Sequence, residues 1–160
     1  ILPGPFMDSF MEAISLIGTL AFFIPVIIYI AWRYSLRNGI LILLPVLLSD
    51  LLNNMLKIIF QHPRPDPSFL TWADIAIRNM PSSFSFPSGH AQGAMVFFGA
   101  VMLTFKSLPL RAACVTLIIL ISFSRMYLGV HFPGDILAGI TIGFFILLPL
   151  MIYLRHNQRV

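Results

Sequence analysis

The stretch Ile136–Leu154, ILAGITIGFFILLPLMIYL, carries no charged side chain. A helix needs about 20 mostly apolar residues to cross the roughly 30 Å hydrocarbon core of a bilayer, and this stretch is long enough. Reading back toward the N-terminus, four further segments carry the same pattern. Ile14–Trp32 is free of charge, and Ile40–Phe60 is apolar except for Asp50, Asn53, Asn54 and Lys57. His90–Phe105 and Leu110–Ser124 are shorter. Pro25, Pro45 and Pro149 fall inside apolar runs, where lipid-embedded helices accommodate a kink. Pro5–Ala13 mixes Phe6, Met7, Phe10 and Met11 with Asp8 and Glu12, the pattern of a short helix lying at the membrane surface. The expected fold is all-α: a polytopic transmembrane helix bundle of five spans plus an N-terminal amphipathic interfacial helix, in one membrane-embedded domain over residues 1–160.

Composition supports this. The chain is 58% hydrophobic and 10% charged, against roughly 25% charged residues in a soluble domain. So little charge cannot coat a water-facing surface. Cys114 is the one cysteine, which excludes an intrachain disulfide. Ile1–Phe6 lacks the basic region and cleavage site of a signal peptide, and because the first residue is not Met, residues upstream are allowed for. A net charge of +4 is dispersed in short loops rather than gathered in a patch, so no nucleic-acid partner is expected.

Five spans put alternate connections on opposite sides. One side receives Arg33, Arg37, Lys106, Arg111, Arg155 and Arg159 with no acid. By the positive-inside rule that side, with the C-terminus, is cytoplasmic. The other receives the N-terminus, the long Pro- and Ser-rich stretch Gln61–Phe86 and the Arg125–Asp135 junction. A loop of that length in a compact protein is usually functional or disordered. Its Phe69, Trp72, Phe84 and Phe86 favour an element at headgroup level.

Three polar clusters interrupt the apolar text, and the topology puts all of them on that second side. They are Lys57 through Arg64-Pro65, then Pro87-Ser88-Gly89-His90, then Ser124-Arg125 followed by His131 and Asp135. Lys57, Arg64 and Arg125 are cations at the edge of hydrocarbon, where an unpaired charge is costly. Only Asp50 and Asp135 lie near enough to offset them, so a dianionic guest would complete the balance. Arginine matches phosphate oxygens in a bidentate way and lysine acts as a point charge. Ser88 and Gly89 stand at a helix start, where backbone N–H groups and the positive dipole end favour an anion. The histidines add reactivity. Asp135, four residues after His131, can take one imidazole N–H and leave the other nitrogen as a nucleophile. His90 is available as the acid that protonates a departing alkoxide.

These three parts, in this order and spacing, resemble the signature of the type-2 phosphatidic acid phosphatase superfamily, whose members include integral membrane lipid phosphate phosphatases. The resemblance covers Lys57–Asp135, about half of the chain. It implies that His131 is the nucleophile, Asp135 its orienting partner and His90 the leaving-group acid. It further implies that Lys57, Arg64, Ser88, Gly89 and Arg125 bind phosphate, and that neither a metal nor another cofactor takes part. Membrane members usually have six helices, one more than the spans counted here.

Other polar residues carry two readings. Asp50 is either a supporting site residue or a packing contact of Asn53, Asn54 or a serine. Ser122 and Ser124 are expected to hydrogen-bond locally, with Ser124 a possible support. His62, His156 and Arg78 read as ordinary loop, tail and surface residues. The expected partners are membrane lipids and a lipid phosphate substrate such as phosphatidic acid, phosphatidylglycerol phosphate, undecaprenyl pyrophosphate or lipid A phosphate. The expected setting is a bacterial plasma membrane, with the site on the extracytoplasmic side. A lipid phosphotransferase and a non-catalytic lipid-phosphate binding protein are the competing readings. The sequence leaves the oligomeric state open.

Overall fold

The computed structural model describes residues 4–69 and 73–156. Trp72 and Arg159, invoked above for the loop and the cytoplasmic charge, lie outside the described residues. The described chain forms α-helices α1 (Pro5–Ile17), α2 (Leu20–Arg33), α3 (Leu36–Phe60), α4 (Ala73–Asn79), α5 (Gly89–Thr104), α6 (Leu108–Tyr127) and α7 (Pro133–His156), with one 3-10 turn at Pro67–Phe69. No strand occurs among the described residues. The all-helical expectation stands.

By length and composition α3, α6 and α7 can each cross a membrane. The expected first span, Ile14–Trp32, is broken. α1 and α2 meet at an angle of 52°, because Thr19 takes extended backbone (φ −108°, ψ 156°) as the residue before α2. Ahead of the break, α1 turns along the end of α6. Tyr127 donates to Asp8 at 2.7 Å and Arg125 bonds Ser15. The N-terminal helix is thus fastened to the bundle and is longer than Pro5–Ala13. Pro25, Pro45 and Pro149 are all accommodated within helices.

α5 is the central element, buried along Val96–Val101 and packed on α3, α6 and α7. Its closest approach is to α7, and small residues make it possible. A side chain at Gly139 would meet the Ser88 carbonyl, and one at Gly143 would meet that of Gln92. Small residues spaced four apart let membrane helices approach backbone to backbone. Deeper in the bundle Phe23 stacks on Phe97 with ring centroids 4.3 Å apart, beside Ile42, Val46, Ile121 and Leu147. This packing brings the C-terminal ends of α3 and α6 and the N-terminal ends of α5 and α7 to one end of the bundle.

Candidate active site

The site residues sit where helices start or stop, or in the connections that follow α3 and α6. Phe132 precedes α7, Pro133 opens it, and the Asp135 carboxylate accepts from the Phe132 N–H at 2.9 Å. A carboxylate in the first turn reaching back to the N–H that precedes the helix is a capping interaction, and proline is favoured at the first helical position. The same Asp135 oxygen, Oδ2, lies 3.3 Å from His131 Nδ1 and accepts from the Ser85 hydroxyl. His131 is therefore oriented through Nδ1–H, and its Nε2 lone pair faces Arg64 Nη1 at 3.2 Å.

The cations are positioned by backbone. Arg64 donates from Nε to Ser83 O at 2.7 Å and from Nη1 to Val130 O at 2.7 Å. Lys57, on the last turn of α3, donates to Phe84 O. Residues 83–85 of the long loop therefore bind two of the three cations with their carbonyls, which gives that loop a definite place over the site. Arg125 is 4% exposed. One of its nitrogens bonds Ser15, while its Nε is buried without a hydrogen-bond partner among the described residues. A buried charged donor left unmade is costly, and an anionic guest would complete it.

His90 lies in the first turn of α5 and is within electrostatic reach of Arg125, His131, Arg64 and Lys57. The α5 start is held from two sides. The Ser88 hydroxyl accepts from Ala91 N at 3.5 Å, and its N–H donates to Asp135 O at 3.0 Å. That differs from the expectation that the Ser88 N–H points free at a guest, since α7 takes it. Asn53 of α3 donates to Pro87 O at 3.3 Å and to Gln92 Oε1 at 2.9 Å. Gln92 in turn donates to Ser49 O at 2.9 Å.

His131 lies in the connection between α6 and α7. Burial pulls its imidazole down from the ordinary 6.5 to about 4, opposed by the bond from Asp135 and assisted by the Arg64, Arg125 and Lys57 charges. Neutral at physiological pH, it keeps its lone pair. Burial likewise lowers the Arg64 guanidinium, and the Asp135 charge opposes that shift.

The structure thus gathers Lys57, Arg64, Ser88, Gly89, His90, Arg125, His131 and Asp135 at one end. Of the two expected supports, Ser124 bonds within its own helix and Asp50 lines a cavity that His90 also borders. Ser124 donates to Ile121 O at 2.7 Å and stays within its own helix. Asp50 sits deeper along α3, accepting from Asn54 at 3.3 Å. Ser122, expected to bond locally, has a buried hydroxyl with no partner among the described residues. His62 packs edge-on against Phe132, and Arg78 is a largely exposed ion-pair partner of Glu12 at 3.7 Å. Sequence reasoning missed Ser85, Ser15, Asn53 and Gln92. Ser85 is one of several serines in its loop, and nothing in the local text distinguishes it.

A membrane-helix bundle with buried cations and a carboxylate-oriented histidine at one end defines a class of anion-handling membrane protein. Comparison narrows the class, for residues 38–159 match the model of the PAP2 superfamily, and the chain belongs to that family. It is similar to phosphatidylglycerophosphatase B of Bacillus subtilis (strain 168), at 32% identity over 89% of this chain and 73% of that protein. It is also similar to lipid A 1-phosphatase of Rhizobium etli, at 30% identity over 80% of this chain, spanning 53% of that protein. The crystal structure of the transmembrane PAP2 type phosphatidylglycerolphosphate phosphatase from Bacillus subtilis superposes with a TM-score of 0.78 at 28% identity, covering 99% of this chain and 79% of that one. The chain is an integral membrane protein whose relatives are lipid phosphatases.

Proposed function

We propose that this protein hydrolyses the phosphate of a membrane lipid through a phosphohistidine. The observation that carries the reading is His131, with Nδ1 turned to Asp135 and Nε2 turned to Arg64. His131 Nε2 attacks phosphorus as the bond to the lipid oxygen breaks. His90 gives its proton to the departing alkoxide. Water then attacks the phosphoryl group, the N–P bond breaks, and the water proton returns to His90. Lys57, Arg64 and Arg125, with the N–H groups at the start of α5 from Gly89 onward, stabilise the charge spread over the transferring oxygens. The residues supply nucleophile, acid and cations, and the reaction runs without a metal.

The chain acts as a single membrane-embedded domain. Its five spans are α2, α3, α5, α6 and α7, with α1 lying along the site end at the membrane surface. The site faces the extracytoplasmic side of a bacterial plasma membrane, where the acidic and aromatic loops gather, and the C-terminus is cytoplasmic. The substrate enters sideways with its tails in the bilayer. An envelope lipid such as phosphatidylglycerol phosphate fits an outward-facing site and the activities for which the relatives are named.

The test is phosphate release from a panel of lipid phosphates in detergent with chelator present. Release is expected from the native protein together with an acid-labile, base-stable phosphoryl adduct. His131→Ala is expected to lose both, a fall of at least about 1,000-fold for removal of a covalent nucleophile. Full turnover by His131→Ala would refute the assignment.

A further inference from the structure

His90 borders two cavities of similar size. One, of about 420 Å³, lies between α1, the residues around Arg78 and the end of α6, and contains Arg125 together with Arg78 and its ion-pair partner Glu12. The other, of about 410 Å³, lies between α2, α3 and α5, bounded by Thr19, Phe23, Val46, Asp50, Asn53 and His90. No cation lines the second cavity, and Asp50 is the acid in its wall.

We propose that this second cavity receives the leaving alcohol, and that Asp50 selects lipid phosphates whose alcohol carries a hydrogen-bond donor beside the phosphoester. The donor is a vicinal hydroxyl, an amide N–H or an ammonium group. The inference rests on the phosphatase reading above.

When the P–O bond breaks, its electron pair goes to the alkoxide oxygen and the proton comes from His90. The carbons of the alcohol must therefore begin beside His90 and continue into adjoining space. In the first cavity Glu12 is paired with Arg78, which leaves Arg125 for the anion. In the second the Asp50 carboxylate has no cation beside it among the described residues, so it repels the anion and that space is left for the alcohol.

Asp50 lies seven residues before Lys57 on α3, roughly 10 Å deeper along the helix axis. A carboxylate at that depth in a spanning helix marks a ligand or a pairing need. Its one hydrogen bond among the described residues comes from Asn54 to Oδ2, and the side chain is exposed. Other polar groups in the wall are already engaged. Asn53 donates to Pro87 O and Gln92 Oε1, and the Ser49 hydroxyl accepts from Gln92 at 3.1 Å. Asp50 retains capacity, and an ionised carboxylate only accepts. A glycerol with a free hydroxyl or a sugar with an amide offers it a donor. A diacylglycerol offers only ester acceptors, and the phosphate left by a lipid pyrophosphate brings a like charge.

The experiment uses the full chain in mixed micelles and measures kcat/KM on three probes: phosphatidylglycerol phosphate, phosphatidic acid with the same acyl chains, and a polyprenyl pyrophosphate. The native protein is expected to favour phosphatidylglycerol phosphate by about tenfold or more, the worth of one hydrogen bond to a charged group. Asp50→Asn preserves shape and is expected to cut that preference about threefold, while Asp50→Leu brings it close to one by slowing only the donor-bearing probe. Equal native rates on all three probes, or a proportionate fall on all of them in both variants, overturns the selector role. Should Asp50→Leu fail to give a monodisperse protein, Asp50→Asn decides alone. His131→Ala run in parallel separates the two claims. No phosphate release by the native protein from any probe would sink the phosphatase reading, whereas native release that His131→Ala abolishes, with unchanged Asp50 ratios, sinks only the selector.

Discussion

At the site end of the bundle, Arg125 and Lys57 are 4% and 7% exposed, and each is tied to an oxygen of another segment. At the opposite end, Arg33 and Arg37 are exposed and lie 5.6 and 5.9 Å from the rings of Tyr34 and Tyr153. The residue type is shared and the physics is not. Water and lipid headgroups screen the second pair, so its positions carry little energy. Desolvated cations interact strongly with anything charged nearby. The first set is costly to assemble, and an anion among the cations would offset that cost.

The sharpest way to break the contrast is Arg125→Leu. It removes a buried charge whose Nε lacks a partner, and kcat on a lipid phosphate is expected to fall by about 100- to 1,000-fold, the usual worth of one preorganised charge-stabilising donor. Arg125→Lys is expected to recover only part, since the fork is lost.

Ser85→Ala tests the layer beneath the nucleophile. Asp135 keeps the His131 and Phe132 contacts but loses the serine hydroxyl. A fall of about 10-fold in kcat with KM unchanged is expected, of the size seen when a supporting hydrogen bond is removed. An equal loss of thermal stability and no loss of kcat would make Ser85 purely structural.

A smaller effect is expected from pH. His131 is held at about 4 in the folded protein against an ordinary 6.5, so the unfolded chain binds the extra proton first. Its contribution to stability is complete above the ordinary value and is lost as pH falls from about 6.5 through about 4. Thermal unfolding in detergent across that range is expected to show a falling midpoint, and His131→Gln to flatten part of the fall. At the end of the scale, Arg37→Ala removes an exposed contact with Tyr153, and activity is expected to stay within about twofold, as for a solvent-screened surface pair.

The residues proposed to meet the guest were legible because chemistry restricts their type. Lys57, His90, Arg125 and Asp135 interrupt apolar text in a terminal turn of a helix, where charge is expensive, and Arg64 and His131 follow in the connections after α3 and α6. Their supports were hidden because many residue types can make a support. Ser85 and Ser15 are ordinary serines in sequence, and Asn53 reads like its neighbour Asn54, yet Asn53 is 5% exposed and bridges to α5 while Asn54 is exposed and bonds Asp50 on its own helix. The break at Gly18–Thr19 was likewise invisible, because Ile14–Trp32 is free of charge throughout and a hydropathy pattern counts residues without registering direction.

The amino-acid text alone determined the solvent, the helical class and the candidates for the reactive groups, because hydrophobic length and the cost of buried charge are properties of the chain itself. Only the tertiary structure decided which serines and amides hold those groups, how α1 folds back onto Arg125, and that Asp50 opens into a space beside His90. Those outcomes depend on distances between segments far apart in sequence, which are set by how closely helices such as α5 and α7 can pack.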